Sequence, residues 1–269
     1  MCVDNLIRSV DAQPFGGGEL SAGRWVVAAG KDVRIVAKGG ESIDLLIVDD
    51  EANVPSSIDI EVSARGVLNI VQVVTKACDH KVDIRMGEQA EVNMTQLVLS
   101  AAEVATRTHL NGENGRFQLG GSFVLTDEEV GGVTVDVDHA VANCVSRTAY
   151  RGVASGKAKG RFSGLVYIAK DAQKTDAEQI SRNVTMDEAL IHTEPQMEIY
   201  ADDVKCSHGA TVGQMDEDAI LYMRQRGLSK ADAKRLQIHG FVADTTLHAS
   251  IAGCGEAMME LLMDKLAKL

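Results

Sequence analysis

From about residue 24 to residue 208 the chain alternates apolar and polar positions in short runs. Among them are "RWVVAAG" (24–30), "SIDLLIVDD" (42–50), "IDIEVS" (58–63), "VLNIVQVVT" (67–75), "KVDIRMG" (81–87), "AEVNMTQLVLS" (90–100), "GRFQLGGSFVLT" (115–126), "GGVTVDVDH" (131–139) and "FSGLVYIAK" (162–170). A period of two with Val and Ile enrichment predicts strands, and Gly, Asp and Asn punctuate them. After residue 213 the period lengthens. "MDEDAILYMRQRG" predicts a helix with Asp216 as N-cap and Gly227 as its stop, and Ser229 is positioned to cap a second one. In the closing "GEAMMELLMDKLAKL", Met258, Leu261, Leu262 and Leu266 fall on one helical stripe, which predicts docking against the chain's own body. Residues 1–23 carry no strong pattern. The expected organisation is a lead-in (1–23), a β-rich core (24–212) and a small C-terminal helical region (213–269).

Many short strands close as a sandwich, a barrel or a parallel β-helix. Two features favour the β-helix. Asn-Gly, the hairpin turn that antiparallel ribbons prefer, occurs in a single linker (111–112 and 114–115) and is missing from the others. Small-residue linkers such as "ARG", "GEN" and "VASGKAKG" suit tight corners, and with only 3 prolines the 25 glycines are expected to do the turning. Aromatic residues are 4% of the chain against 45% apolar overall, so the core is built from Val, Ile, Leu and Ala. A net charge of -12 and the lack of a strong basic cluster disfavour nucleic acid as a partner. Five scattered cysteines (2, 78, 144, 206 and 254), no C-x-x-C pair and no secretory leader read as free thiols in a reducing cytoplasm. No run approaches the roughly 18 apolar residues of a membrane helix. The expectation is a soluble, cytoplasmic protein without a membrane partner.

Catalytic signatures are wanting. "GVASGKA" (152–158) is one residue short of a P-loop and has Ala158 where Ser or Thr would bind Mg²⁺, so the chain is not expected to bind or hydrolyse nucleotide. "GGGELSAG" has Ser21 at the third glycine of a dinucleotide fingerprint. Neither H-E-x-x-H nor G-x-S-x-G occurs, and the chain is expected not to be an enzyme. One pair does carry chemistry. If 197–208 is a strand, Val204, Cys206 and His208 share a face, with Asp202-Asp203 marking a corner or bulge. Thiolate and imidazole form a soft half-site, and zinc or iron–sulfur ligation calls for about four ligands, so the remainder must come from elsewhere, most simply across a subunit interface. The competing reading is a buried thiol beside a hydrogen-bonded histidine. The same spacing at Cys78-Asp79-His80 shows that it arises by chance.

The stretch "PQMEIYADDVKCSHGATVGQMDEDAILYMRQRGL" (195–228) resembles the SufB/SufD family of the SUF iron–sulfur cluster assembly system, SufD-like members in particular. So does "DHAVANCVSRTAYRGVASGKAKGRFSGLVYIAKDAQKTDAEQISRNVTM" (138–186), with the family's H…C…S, G-x-x-x-F-x-G and A-Q-x-T-D-A-x-Q segments. The resemblance is dense over 138–245 and diffuse before it. It implies a right-handed parallel β-helix followed by C-terminal helices. It also implies pairing through the β-helix with a SufB-like subunit or a second copy, and docking of a SufC-type ATPase by the helices. His208 matches the histidine implicated in holding a nascent, transient iron–sulfur cluster at the subunit interface, and Cys206 sits at the family's nearby cysteine. Sulfur-donor proteins are implied partners, and the assembled complex has room for a flavin.

Other residues fit architecture as well as function. Cys144 matches the family's cysteine but also suits a β-helix interior. Gln173, Thr175, Asp176, Gln179 and Asn183 suit rung ladders and corners. Cys254 and His248 suit packing or surface, and Met258–Leu266 suits self-docking with some ATPase contact. SufD proteins usually carry an N-terminal helical region, and here strands begin almost at once, as in a short form. That leaves a SufB-like partner or a homodimer, where two Cys206/His208 pairs meeting across a two-fold axis would supply four ligands. The expected function is a non-enzymatic scaffold in cluster assembly. The alternatives are an adaptor that recruits the ATPase without touching iron, and a β-helix carbohydrate-active enzyme, which the scarcity of aromatic platforms disfavours.

Overall fold

The computed structural model describes residues 3–28, 32–40, 42–49, 51–246 and 249–267; Cys2 and His248 lie outside them. The chain opens with α1 (Val3–Val10), β1 (Gln13–Pro14), β2 (Gly18–Leu20), β3 (Gly23–Ala28), β4 (Asp32–Ala37), β5 (Ser42–Asp49) and β6 (Ser56–Val62). There follow β7 (Val67–Val74), β8 (Asp79–Met86), β9 (Glu91–Val98), β10 (Glu103–Leu110), β11 (Arg116–Leu125) and β12 (Val130–His139). The last strands are β13 (Val145–Ala154), β14 (Lys159–Ile168), β15 (Asp176–Thr185), β16 (Leu190–Ile199) and β17 (Lys205–Gln214). Helices α2 (Glu217–Gln225), α3 (Lys230–Thr246) and α4 (Cys254–Leu266) end the chain.

Odd-numbered strands stack in order as a nine-stranded sheet and even-numbered ones as an eight-stranded sheet. Every pairing is parallel. This is the expected parallel β-helix: each coil contributes one strand to each sheet, and the chain climbs one rung per coil. The strands lengthen along it, from 8 residues in β7 to β10 to 10 residues from β11 onward.

Inward-facing Val, Ile and Leu fill the space between the sheets, with Phe117, Phe123, Tyr150 and Phe162 in the wider rungs. A second core lies outside the nine-stranded sheet. There Leu46, Val48, Val71, Val73, Leu97, Val124 and Val153 on the strands meet Val3, Leu6 and Val10 of α1, Ile238 and Val242 of α3, and Met258, Leu262 and Leu266 of α4. This explains the continuous apolar runs of β5, β7 and β9, whose C-terminal halves are buried on both faces. Residues 3–20, a featureless lead-in by pattern, thus carry a docked helix and strands of both sheets. The helix ends follow the sequence: Ala219 N donates to the Asp216 carboxylate (3.0 Å), Ser229 Oγ accepts from Asp232 N (3.0 Å), and Gly227 has φ 97°.

The corners correct the expectation that glycine does the turning. Between residues 40 and 187, left-handed backbone occurs at Gly40, Asn53, Arg65, Gln89, Asn114, Asp127, Asn143, Gly156, Lys174 and Asp187; two of these ten are glycine. An L residue there is held against its preference, and the rungs supply the restraint. Arg65 N donates to Glu88 O (2.8 Å), Gln89 N to Glu113 O (2.8 Å) and Asn143 N to Gln173 O (2.9 Å), each in the next coil. Glycines instead stand where a side chain has no room: a Cβ on Gly112 would strike the backbone of Gly87–Glu88, and one on Gly121 the Tyr150 ring.

Polar groups also enter the interior, and they are linked. Tyr150 O–H donates to Gln96 Oε1, Gln96 Nε2 to Gln72 Oε1 (2.7 Å), and Gln72 Nε2 to Asp49 Oδ2 (3.0 Å). Asp49 Oδ1 lies 3.2 Å from His80 Nδ1. Farther along, His139 Nε2 is 2.8 Å from Ser146 Oγ, while its Nδ1 has no partner. Burial lowers the His139 pKa to about 4. An unfolded histidine titrates near 6.5, so the unfolded chain binds more protons between these values. Stability is therefore full above pH 6.5 and falls by up to about 3 kcal/mol as the pH drops toward 4. Urea unfolding of wild type and His139→Gln at pH 7.5, 5.5 and 4.5 measures this. The wild type should lose more stability on acidification than the variant, and parallel losses would show that His139 contributes none of it.

Candidate functional site

The segment 197–208 is not one strand. It contains the end of β16, a corner at 200–204 and the start of β17, which lie in different sheets. The Asp202-Asp203 dipeptide sits in that corner, as its sequence suggested. Lys174 N donates to Asp203 O (2.6 Å) and Asp203 N to Gln173 Oε1 (2.9 Å), while Tyr200 stacks on Tyr167 with centroids 5.5 Å apart. Local chemistry ends β16 here: two acids and an aromatic ring suit a surface bend better than a packed strand.

β17 is the last strand of one sheet and β16 the last of the other, so each has a free edge among the described residues. Cys206 and His208, two apart on β17, point to one side, inward across the open mouth of the helix. Cys206 is half-buried against the interior core. Burial pushes its thiol pKa up; a backbone hydrogen bond involving Ala177 opposes this and the Asp176 charge adds to it. A metal would have to displace the thiol proton to gain a thiolate ligand. His208 is exposed, and its Nδ1 lies 3.0 Å from the carbonyl oxygen of Pro195 on β16. Among the described residues no group of three or more His, Cys, Asp or Glu side chains could hold a metal ion, so one chain presents the pair and not a full ligand set.

Register relates this pair to the second motif. Ala177 lies under Cys206 and Ser146 under Ala177; Gln179 lies under His208 and Thr148 under Gln179. The His139–Ser146 hydrogen bond therefore sits two rungs beneath Cys206, about 10 Å inward at the spacing of parallel strands. Cys144 beside it is fully buried, with its pKa raised by burial. Its sulfur is 3.4 Å from Gly112 O, in the interior position that its sequence context allowed. The other C-x-H pair is architectural. Cys78 and His80 are buried, Cys78 Sγ contacts Val54 O, and His80 Nδ1 lies 2.8 Å from Ser56 Oγ.

Pro195 is the site residue that pattern reading overlooked, because its contribution is a backbone carbonyl. Pro195 stands in the middle of β16, and a proline inside a strand marks a sheet edge. The pattern also missed a groove of about 400 Å³ on the outer face of the nine-stranded sheet, where Asn93, Gln118, Arg147 and Glu178 approach Asp244 and Ser250. It does not include Cys206 or His208. Leu221 and Tyr222 of α2 and Leu236 of α3 are exposed, and Arg226 stacks over Tyr222 at 4.5 Å.

Residues 28–241 match the family described as SUF system FeS cluster assembly, SufBD core domain. The chain belongs to this family. It is 37% identical over 167 residues to the iron–sulfur cluster assembly protein SufD of Escherichia coli K12, covering 61% of this chain and 40% of that protein. It is 44% identical over 88 residues to a SufBD family protein of Synechocystis (32% and 19%) and 34% identical over 115 residues to SufD of Bacillus subtilis (42% and 26%). The chain thus spans less than half the length of these relatives. No helix among the described residues is long and apolar enough to cross a membrane, which says nothing of a crossing by strands.

His208 is exposed and Cys206 only half-buried at the edge of the core, so Cys206→Ser and His208→Ala should each shift stability by no more than about 1 kcal/mol. Urea unfolding checks this. A loss of several kcal/mol for either variant would make that side chain a packing residue.

Proposed function

We propose that this SufBD-family chain is a non-enzymatic scaffold in iron–sulfur cluster assembly. In this reading it pairs through its last rung with a SufB-like chain or a second copy. It docks a SufC-type ATPase on its C-terminal helices, and His208 with Cys206 helps to hold a transient cluster at the subunit interface. The cluster is cargo passing through the assembly. Sulfur would arrive from a donor protein and electrons from a flavin-bearing form of the assembled complex, in the cytoplasm, with nucleotide bound by the ATPase alone.

One observation carries the reading: the soft donor pair lies on the same terminal rung as the two free strand edges. A second chain that adds strands to those edges is brought directly to Cys206 and His208. Ile199, Tyr200 and Val212 are exposed around that end, which suits a strand partner better than solvent. Exposed Leu221, Tyr222 and Leu236 offer the helical face a contact surface for the ATPase.

The test is iron and acid-labile sulfide content after purification without oxygen, together with the ATPase and any SufB-like partner. Wild type should carry both, and His208→Ala in the same complex should lose most of them. Equal content in both complexes would make the chain an adaptor, a reading consistent with the half-buried, protonated thiol of Cys206. Pairing is tested separately by Val212→Asp, which should weaken subunit association at least tenfold, about 1.4 kcal/mol, and leave the unfolding of the single chain unchanged. Sedimentation at graded concentrations measures it, and unaltered association would place the interface elsewhere.

A further inference from the structure

We propose that the Pro195 carbonyl fixes His208 as its Nδ1–H tautomer, so that Nε2 is the atom offered to an incoming metal. This rests on the reading of His208 as a cluster ligand and adds which atom ligates and which group directs it. His208 Nδ1 stands 3.0 Å from Pro195 O, and among the described residues no other hydrogen bond engages the ring. A carbonyl oxygen only accepts, so Nδ1 carries the hydrogen. In the neutral ring the lone pair then belongs to Nε2.

The acceptor is set by the edge position of Pro195. β16 pairs with β14 on one side and with no other strand among the described residues, and the imidazole reaches Pro195 from β17 of the other sheet. Proline has no N–H to engage a partner strand, so this point of the edge offers a carbonyl alone. Beneath His208, Gln179 Nε2 donates to Val135 O at 3.4 Å, and its buried Oε1 has no hydrogen-bond partner, so neither amide atom bonds the imidazole. A ligating histidine that donates its other ring N–H to a carbonyl is held in orientation and made more basic at the ligating nitrogen. The two ring nitrogens diverge, so a metal on Nε2 lies on the side of the ring away from Pro195. Pro195 is therefore a positioning residue that acts through His208.

The experiment uses the metal-free chain labelled with ¹⁵N-histidine. Two-bond ¹⁵N–¹H correlations at alkaline pH report which ring nitrogen is protonated, and the His208 signals are those that vanish in His208→Ala. A protonated Nδ1 with a bare Nε2 supports the proposal. A protonated Nε2, or rapid averaging between the two forms as in free histidine, overturns it. Because this readout needs no cluster, its failure is distinct from a failure of the ligand reading, which the iron and sulfide content decides.

Discussion

Rung-on-rung hydrogen bonding in constant register is the constraint from which the rest of this structure follows. Each parallel pairing places a residue directly over its counterpart one coil earlier, so distant sequence positions become vertical neighbours. It tolerates left-handed backbone at Arg65, Gln89 and Asn143, because the next coil receives their N–H groups. It also puts Ser146, Ala177 and Cys206 in one column, and with them the two motifs that the sequence displays far apart.

The same stacking explains which strands could be read from the sequence. Strands whose inward positions hold Val, Ile or Leu, such as β7 and β9, announce themselves by pattern. β13 and β15 do not, since their inward positions include Ser146, Thr148 and Gly152, and Gln179, Ser181 and Asn183. In a solenoid a polar side chain can be satisfied by the rung above or below, so interior polarity weakens the alternation without opening the fold. That Cys206 and His208 share one face of a strand was legible from their spacing. The corner that separates them from β16 was only half legible, because two adjacent acids signal a bend and not a change of sheet. The contribution of Pro195 was hidden, since a carbonyl has no letter in the sequence.

Buried polarity divides into two kinds. The chain of groups from Tyr150 through Gln96 and Gln72 to Asp49 and His80 links rungs, Tyr150 reaching Gln96 past Gly121 of the rung between. Such a network favours one alignment of the coils over a slipped one, since a shift of one residue would strand every member without a partner. His139 lies outside that network: one ring nitrogen bonds Ser146, the other, like His80 Nε2, has no partner, and burial keeps the His139 ring neutral. The first network specifies register, and the second ties stability to pH.

The lengthening of the strands gives the solenoid a direction. Its described first rung is built from strands of 2 and 3 residues, and its last from strands of 10. The widest described rung is thus the last one, so the greatest length of unpaired strand backbone among the described residues lies beside Cys206 and His208.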